Sequence, residues 1–376
     1  MLKLFKDFWI QSKDIRIAQF SFDEFGFASD VKLLENDTNF RELVDFSDGN
    51  IIDQWLAKRL LPMNRENGAR LLQNNRLANI RIVASNQYFL SLSDTLWLNP
   101  FDEDRKWDEV SLYQNNIDVD LFELALYGEG ISNKSGLTPE YTTGGHLAKG
   151  WLYDGGIWKL KKGAGYYPGE PLSEVLAYEI AKQLEFNCVK YEYEERKRND
   201  EILSYSSCDN FSSEDFSFLP AYSLAEYGTL KNRENTELIN EQFGFTKQFN
   251  QMALLDALTF NNDRHYNNFG YMYDSNTGKI TDFSPIFDTG QSLFYKTPEA
   301  NIDRDFEDIF LVKDLRTRLN FIDMLKQQNV KITSETFAKL DISLIGKEFE
   351  GKFPERIETI RKAIDIQVGK INEELG

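Results

Sequence analysis

The stretch TFNNDRHYNNFG, residues 259–270, decides the fold of this 376-residue chain. An apolar segment at 252–260, rich in helix-forming residues, leads into it, and the alternating run FGYMY at 269–273 follows it as a strand would. The sequence DSNTGK at 274–279 then predicts a hairpin turn, because Asn and Gly accept the backbone angles of tight turns. A second run returns and ends in IFDTG at 286–290.

Three polar side chains of these segments have the chemistry of a phosphotransferase site. The hairpin is expected to carry Asp288 at the far end of its return strand and to bring it back to Asp263 and Asn268. Oxygen ligands of this kind suit Mg²⁺ bound together with nucleotide phosphates. Phosphoryl transfer needs a carboxylate that accepts the hydroxyl proton and ligands that hold the metal. We therefore predict Asp263 as the catalytic base, and Asn268 and Asp288 as metal ligands.

The spacing of these residues follows the protein kinase pattern. In that pattern a catalytic Asp precedes a metal-binding Asn by five residues, and a second metal-binding Asp follows after the next hairpin. Asp263 and Asn268 are five residues apart, and Asp288 is followed by Thr289 and Gly290. The order therefore predicts a kinase-like catalytic centre, although Thr289 stands where an aromatic residue is usual.

The residues after the first Asp point to one branch of this pattern. DRHYNN at 263–268, followed by PIFDTG at 285–290, resembles the HipA-like serine/threonine kinases, and the phosphatidylinositol kinases share the first element. Three further segments match the HipA-like family in the same order: TTGGHLAK at 142–149 as its mobile Gly-rich loop, WKLK at 158–161 as its nucleotide-binding strand, and SEVLAYEIA at 173–181 as its next helix. The Gly-rich loop is weak evidence by itself, but the ordered set is strong.

The resemblance implies an α+β, bilobal protein-kinase-like fold with an added N-terminal α/β domain. We expect an N-terminal accessory domain at 1–125, a small nucleotide-binding lobe with an antiparallel sheet at 126–222, and a mostly helical large catalytic lobe at 223–376. Residues 127–136 are rich in Gly, Ser and Asn, which indicates a linker. We expect a scaffold or substrate-docking role for the first domain.

The resemblance also assigns the nucleotide-binding residues. Gly144, Gly145 and Lys149 belong to the Gly-rich loop, where glycines let backbone N–H groups approach phosphates. A tight turn is the ordinary alternative for such a Gly pair. Lys161 would meet the α- and β-phosphates, with Glu174 as its ion-pair partner.

Structural alternatives accompany these assignments. Lys159 shares a strand face with Lys161 and competes for the phosphate role, while Lys162 is expected to be a solvated residue at the strand end. Glu174 falls in the first turn of a helix predicted at 172–184, so helix capping is its alternative role.

Two further sets of residues complete the predicted site. His265 is counted with the catalytic residues because we expect it to order the loop by hydrogen bonds or packing, with a buried core histidine as the alternative. Arg264 is expected to brace the same loop electrostatically. Pro220 and Ala221, within 216–222, are expected to cross between the lobes, where backbone groups meet adenine.

Hydrophobic spacing predicts secondary structure around these motifs. It indicates C-terminal helices at 308–327, 334–345 and 354–375. Alternation indicates strands at 188–193 and 201–207, and a mixed-charge turn is expected at 195–201.

Composition limits the function classes. A hydrophobic content of 41%, with 29 Phe and 17 Tyr, is ample for sizeable cores in more than one domain. The net charge of -18 argues against nucleic acid as the main partner, because a phosphate backbone is held by clustered Lys and Arg. Cys188 and Cys208 give no disulfide framework, although one bridge between them stays open, so a cytoplasmic location is expected. We find neither a membrane-spanning apolar stretch nor a signal peptide, and expect no membrane partner.

The resemblance implies an ATP- and Mg²⁺-dependent kinase that phosphorylates a Ser or Thr hydroxyl of a protein. HipA-like enzymes can act as growth-arresting toxins restrained by small DNA-binding antitoxins, which implies such a separate partner here. Thr142 or Thr143 would be the residue of the Gly-rich loop that the kinase phosphorylates in its own chain. A lipid kinase, a nucleotidyl transferase on the same fold and a non-catalytic nucleotide-binding module stay open as alternatives, although the chain has no obvious basic membrane face.

Overall fold

The structure is a computed structural model, and the residues that it describes are 5–34, 38–74, 80–115, 120–129, 136–163, 168–198, 200–227 and 233–376. The expected linker at 127–136 lies partly outside these ranges. In the described residues the strands are β1 (Asp7–Ser12), β2 (Ile15–Phe22), β3 (Ala28–Leu33), β4 (Leu96–Pro100), β5 (Ala148–Asp154), β6 (Ile157–Gly163), β7 (Tyr191–Arg198), β8 (Glu201–Asp209), β9 (Phe216–Pro220), β10 (Gly270–Asp274) and β11 (Ile280–Phe283).

The α-helices of the same ranges make the fold a mixed α/β one. They are α1 (Thr38–Leu43), α2 (Gly49–Lys58), α3 (Gly68–Asn74), α4 (Ile80–Ser85), α5 (Trp107–Val110), α6 (Asp120–Tyr127), α7 (Gly169–Gln183), α8 (Ala221–Tyr227), α9 (Arg233–Gln242), α10 (Thr246–Thr259), α11 (Phe321–Gln327) and α12 (Pro354–Leu375). None of these helices combines the length and the apolar character that a membrane span requires.

The chain divides into two compact units. The first comprises the described residues of Met1–Lys162, Asp209–Leu230 and Tyr271–Asp282. The second comprises those of Gly163–Cys208, Lys231–Gly270 and Phe283–Gly376.

One sheet of the first unit has the strand order β3-β2-β1-β4, and β1 is antiparallel to both neighbours. Phe8 and Ile10 alternate along β1 onto the buried face, where Phe20 of β2 joins them. Helix α2 begins after Asp48, whose side chain accepts a hydrogen bond from the N–H of Asn50 at 2.7 Å. Its buried residues Ile52, Trp55 and Leu56, at helical spacing, pack into the same core.

A second sheet of the first unit has the order β11-β10-β9 and contains the predicted hairpin. Asp274 donates its N–H to the carbonyl of Lys279 at 2.9 Å, and Gly278 adopts the left-handed φ of 70° that the turn requires. One expectation about this hairpin is wrong. Strand β11 ends at Phe283, so Asp288 does not lie on the return strand but five residues beyond it.

Strands β5 and β6 form a second hairpin, with Gly155 and Gly156 at positive φ in its turn. The prediction of a solvated Lys162 is wrong, because its side chain is only 5% exposed. Alternation puts Lys162 on the face of β6 that carries the buried Trp158, and that face is covered at this end of the strand.

In the second unit, β7 and β8 pair antiparallel from Tyr191–Cys208 to Arg198–Glu201. The turn predicted at 195–201 is therefore wrong over its first four residues, which continue the strand because a ladder partner faces each of them. The strand predicted at 188–193 also starts later than expected. Cys188 instead forms an isolated parallel bridge with Ile286.

Helix α10 is the centre of the second unit. Nine of its residues are buried (Phe249, Met252, Ala253, Leu254, Leu255, Asp256, Ala257, Leu258 and Thr259), and it contacts α7, α9, α11 and α12. A helix that is apolar on nearly all sides belongs inside a packed domain. The predicted helix at 354–375 is present as α12, which begins with Pro354.

The helix predicted at 308–327 is confirmed only over its last seven residues, and the helix predicted at 334–345 is wrong. Within 308–327 only α11 is α-helical, because Arg318 adopts a left-handed φ of 61° and Asn320 caps a new helix. Within 334–345 the only regular helix is the short 3-10 turn Ile342–Leu344, capped by Asp341. Hydroxyl and carboxylate side chains bond to nearby backbone N–H groups here, which competes with an α-helix.

A buried arginine fixes α12 to the segment before it. Arg356 is 1% exposed, and its Nε donates to Glu299 Oε2 at 2.8 Å. Its Nη1 donates to the carbonyl of Phe294 at 3.1 Å, and its Nη2 donates to the carbonyl of Thr297. This side chain therefore satisfies two main-chain carbonyls and one carboxylate at once.

We expect Arg356→Met to lower the free energy of unfolding by about 3 kcal/mol, because it leaves buried acceptors unsatisfied. Arg304→Met is the matched control, since Arg304 is 74% exposed beside Asp305 and should change stability by less than about 0.5 kcal/mol. Urea unfolding followed by circular dichroism measures both. Equal effects of the two substitutions would contradict the assigned role of Arg356.

Candidate active site

The predicted catalytic loop is wound onto the end of α10. Phe260 ends the helix in the left-handed conformation, and its N–H donates to the carbonyl of Asp256. Asn261 then donates its amide Nδ2 to Asp256 Oδ1 at 2.8 Å and accepts the N–H of Asp263 at 3.1 Å. The start of the loop is therefore held by side chains of its own sequence neighbourhood.

A completely buried ion pair organises the rest of the loop. Arg264 donates from Nε to Asp256 Oδ2 and from Nη2 to Asp256 Oδ1, both at 3.0 Å. Its Nη1 donates to the carbonyls of Asn268 at 2.5 Å and Phe287 at 2.6 Å. Burial alone would lower the pKa of Arg264, but Asp256 and Asp288 outweigh burial and hold that pKa above its usual value.

Arg264 braces the loop as expected, but its partner was missed. Asp256 lies within the apolar run ALLDAL of α10, and an acid within such a run is itself a signal of a buried partner. The pair joins α10 to the backbone at Asn268 and to the residue before Asp288.

Asp263 is half-buried in the loop that this pair supports. Its Oδ2 accepts the side-chain N–H of Gln291 at 2.9 Å, and its carbonyl accepts Asn268 Nδ2 at 3.1 Å. Burial raises the pKa of Asp263; the neighbouring His265 lowers it, and the charge of Asp288 raises it again. The carboxylate is thus a stronger base than an ordinary Asp.

The structure brings Asn268 and Asp288 into the same neighbourhood as Asp263. Asn268 is 4% exposed, and the hydrogen bond from its Nδ2 fixes its amide. Asp288 has a left-handed φ of 55°, an uncommon backbone conformation for a residue other than glycine, and its N–H donates to the hydroxyl of Tyr191 at 3.2 Å. Backbone strain of this kind is typical of functional sites.

The donor set fits a magnesium ion that is shared with phosphates. In the ranges that the structure describes, no group of three or more His, Cys, Asp or Glu could hold a metal. Asn268 Oδ1 and the Asp288 carboxylate are oxygen donors, and Mg²⁺ is often bound by one or two protein carboxylates together with substrate phosphates.

Glu174 is a buried residue of α7 that lies beside the segment 288–290. Helix α7 begins at Gly169, so Glu174 lies in its second turn and not in the first turn as predicted, and the alternative role as a helix cap is wrong. Ser206 donates its hydroxyl to Glu174 Oε2 at 2.5 Å, and a Cβ on Gly290 would lie 3.4 Å from Glu174 Oε1. Glu174 therefore contacts the Asp-Thr-Gly segment from within the second unit.

His265 makes its hydrogen bonds within the predicted catalytic loop. It is half-buried, its Nδ1 accepts the N–H of Asn267 at 3.2 Å, and its own N–H donates to the carbonyl of Asp263 at 2.8 Å. A fully buried core histidine, the alternative role, does not describe this position.

The Gly-rich loop lies in the first unit. Gly145 has a φ of 90°, a left-handed backbone conformation that favours glycine. Gly144 faces open space. Thr142 is buried and donates its hydroxyl to the carbonyls of Leu90 and Pro139.

The other residues that were predicted to contact the nucleotide also belong to the first unit. Lys159 forms an ion pair with Asp154 of its own hairpin at 3.3 Å. Pro220 ends β9 and Ala221 begins α8.

A second buried ion pair supports the Gly-rich loop. Arg65 donates to the carbonyls of Thr143, at 3.1 Å, and Lys149, which lie at the two ends of the loop. Its Nη2 is 3.9 Å from Glu140 Oε2, while Glu140 Oε1 accepts the N–H of Trp151 at 2.7 Å. Burial raises the pKa of Glu140 to about 7, although Arg65 and the Trp151 N–H oppose this.

We expect Glu140 to make stability depend on pH. Its folded-state pKa of about 7 exceeds the ordinary value of 4.5, so the folded protein holds the proton more tightly. The contribution of Glu140 to the free energy of unfolding is complete below pH 4.5. It falls by up to about 3 kcal/mol as the pH rises through 7.

Glu140→Gln should flatten this decline between pH 5 and 7, whereas Glu66→Gln, at an exposed neighbour of Arg65, should leave it unchanged. Urea unfolding at several pH values measures the slope. An unaltered slope in Glu140→Gln would refute the assignment.

Comparisons with known proteins bear on the fold. No family model matches the sequence, and no curated protein matches it either. The HipA toxin–antitoxin structure of Shewanella oneidensis MR-1, solved with HipB and operator DNA, matches with a TM-score of 0.52 at 13% identity over 97% of this chain and 98% of that chain. The crystal structure of the Helicobacter pylori proinflammatory kinase CtkA has a TM-score of 0.49 at 18% identity, over 62% of this chain and 91% of that chain.

The HipA match spans nearly the whole of both chains. At this level of identity, the likeness shows a shared fold. The fold of this protein is therefore the HipA fold, as its ordered motifs predict.

Proposed function

We propose that this protein is a HipA-like kinase that transfers the γ-phosphate of ATP to a Ser or Thr hydroxyl of a protein. The observation that carries the proposal is the convergence of Asp263, Asn268 and Asp288 around the buried Arg264, in the order of the kinase motif. The HipA fold supports the same conclusion.

The proposed mechanism follows from the chemistry of these side chains. Asp263 accepts the proton of the acceptor hydroxyl, and its raised pKa suits a base. Asn268 and Asp288 would hold Mg²⁺, which would neutralise charge on the transferred phosphate. His265 stabilises the conformation of the loop by accepting a hydrogen bond from the N–H of Asn267.

The nucleotide-side residues take the roles that the resemblance gives them. Lys161 meets the α- and β-phosphates, with Glu174 as its partner, and the loop of Gly144, Gly145 and Lys149 covers the phosphates. Pro220 and Ala221 are proposed to meet adenine through their backbone groups.

The wider organisation is part of the same proposal. We propose a bilobal kinase arrangement with an accessory domain at 1–125, a small lobe at 126–222 and a large lobe at 223–376. A growth-arresting role with a separate small antitoxin is supported by the HipA structure, which was solved together with HipB and its operator DNA. A cytoplasmic protein substrate fits this role.

We expect Asp263→Asn and Asp288→Asn each to lower phosphoryl transfer at least about 100-fold, because one loses the base and the other a metal ligand. Asp365→Asn, at an exposed position of α12, is the matched control and should keep wild-type activity. Transfer of radiolabel from ATP to casein, a general Ser/Thr-containing acceptor, and to the protein itself measures the rates.

ATP binding distinguishes a kinase from a nucleotide-binding module. Calorimetry should show that Asp263→Asn binds ATP like the wild type, since the base does not hold the nucleotide. Binding of ATP by the wild type without any transfer would favour the module. Full transfer by both site variants would mean that the site is elsewhere.

A further inference from the structure

Gln291 contacts both the proposed base and a buried tyrosine. Its Nε2 donates to Asp263 Oδ2 at 2.9 Å, and its Oε1 accepts the hydroxyl of Tyr295 at 2.6 Å. Tyr295 is only 8% exposed, and its N–H donates to the carbonyl of Ser292. Because the hydroxyl occupies the oxygen end of the amide, the N–H end is fixed toward the carboxylate.

The main chain around Gln291 contacts the catalytic loop as well. The carbonyl of Gln291 accepts the N–H of Asn262 at 3.3 Å, one residue before Asp263. Leu293 and Phe294 follow with left-handed φ values of 48° and 63°, which are uncommon for such side chains. Strain of this kind persists only where the surrounding structure holds the segment, so the position of Gln291 is well defined.

We propose that Gln291 is a positioning residue that holds Asp263 Oδ2 and thereby directs Oδ1 to the acceptor hydroxyl. The proposal rests on the proposed kinase function. A general base must lie within hydrogen-bond reach of the proton that it takes, so rotation of its carboxylate would reduce the rate without weakening nucleotide binding.

The chemical step itself does not involve Gln291 directly. The hydroxyl proton moves to Asp263 Oδ1 while the hydroxyl oxygen forms a bond to the γ-phosphorus of ATP. The bond between that phosphorus and its bridging oxygen breaks, and ADP leaves with the electron pair. Gln291 gains and loses no proton, because its amide is neutral throughout.

Two substitutions of similar shape test the proposal. Gln291→Met keeps the length of the side chain but removes the donor, and Gln291→Glu keeps the shape but replaces the donor by a second carboxylate. With casein as acceptor and ATP varied, we expect kcat to fall roughly tenfold to 100-fold in Gln291→Met and further in Gln291→Glu, with the KM for ATP within about twofold of wild type.

Gln367→Met is the matched control. Gln367 is a buried residue of α12 in the same unit, and its Nε2 donates to the carbonyl of Ala257 at 3.1 Å. We expect this substitution to lower the thermal unfolding midpoint but to leave kcat unchanged. Gln291→Glu keeps the test decisive if Gln291→Met does not fold, because its packing is conserved.

The outcomes separate the inference from the function on which it rests. An active wild type with unchanged kcat in the folded Gln291 variants would overturn the inference alone. A loss of kcat in Gln367→Met equal to that in Gln291→Met would also overturn it, since the effect would then follow stability. A wild type without phosphoryl transfer would refute the proposed function, and the inference with it.

Discussion

One buried guanidinium holds the candidate site together. Arg264 contacts the carboxylate of Asp256 inside α10 and the carbonyls of Asn268 and Phe287. The cost of removing two charges from water offsets much of the attraction within a buried ion pair. The main effect of this pair is therefore to position the loop, and its net contribution to stability is small. This pair explains how the loop and a segment about twenty residues later lie close enough to supply both ligands of the proposed metal site.

A buried arginine also holds the backbone of the Gly-rich loop, which lies in the first unit. Arg65 contacts the carbonyls of Thr143 and Lys149, and Glu140 accompanies it as a buried acid. Arginine suits both positions because its planar group donates several hydrogen bonds in fixed directions. In both places the guanidinium donates to main-chain carbonyls and so holds the backbone of the loop.

The sequence predicted the parts of the fold that depend on local chemistry. The hairpin at 274–279 and the helix at 354–375 carry strong turn and periodicity signals, and both are present. The helix predicted at 308–327 forms only after Asn320, which caps α11, and the helix predicted at 334–345 is wrong because Asp341 caps a short 3-10 helix there. The contacts of Asp256 and Gln291 depend on residues distant in sequence, so spacing alone could not predict them.

The most direct measurement of the central claim uses Mn²⁺ in place of Mg²⁺, followed by electron paramagnetic resonance with a non-hydrolysable ATP analogue. The account predicts that wild-type protein binds Mn²⁺ tightly only when the analogue is present, and that Asp288→Asn abolishes this binding. This measurement does not require the acceptor protein to be known. Nucleotide-dependent Mn²⁺ binding that is the same in wild type and Asp288→Asn would contradict the account.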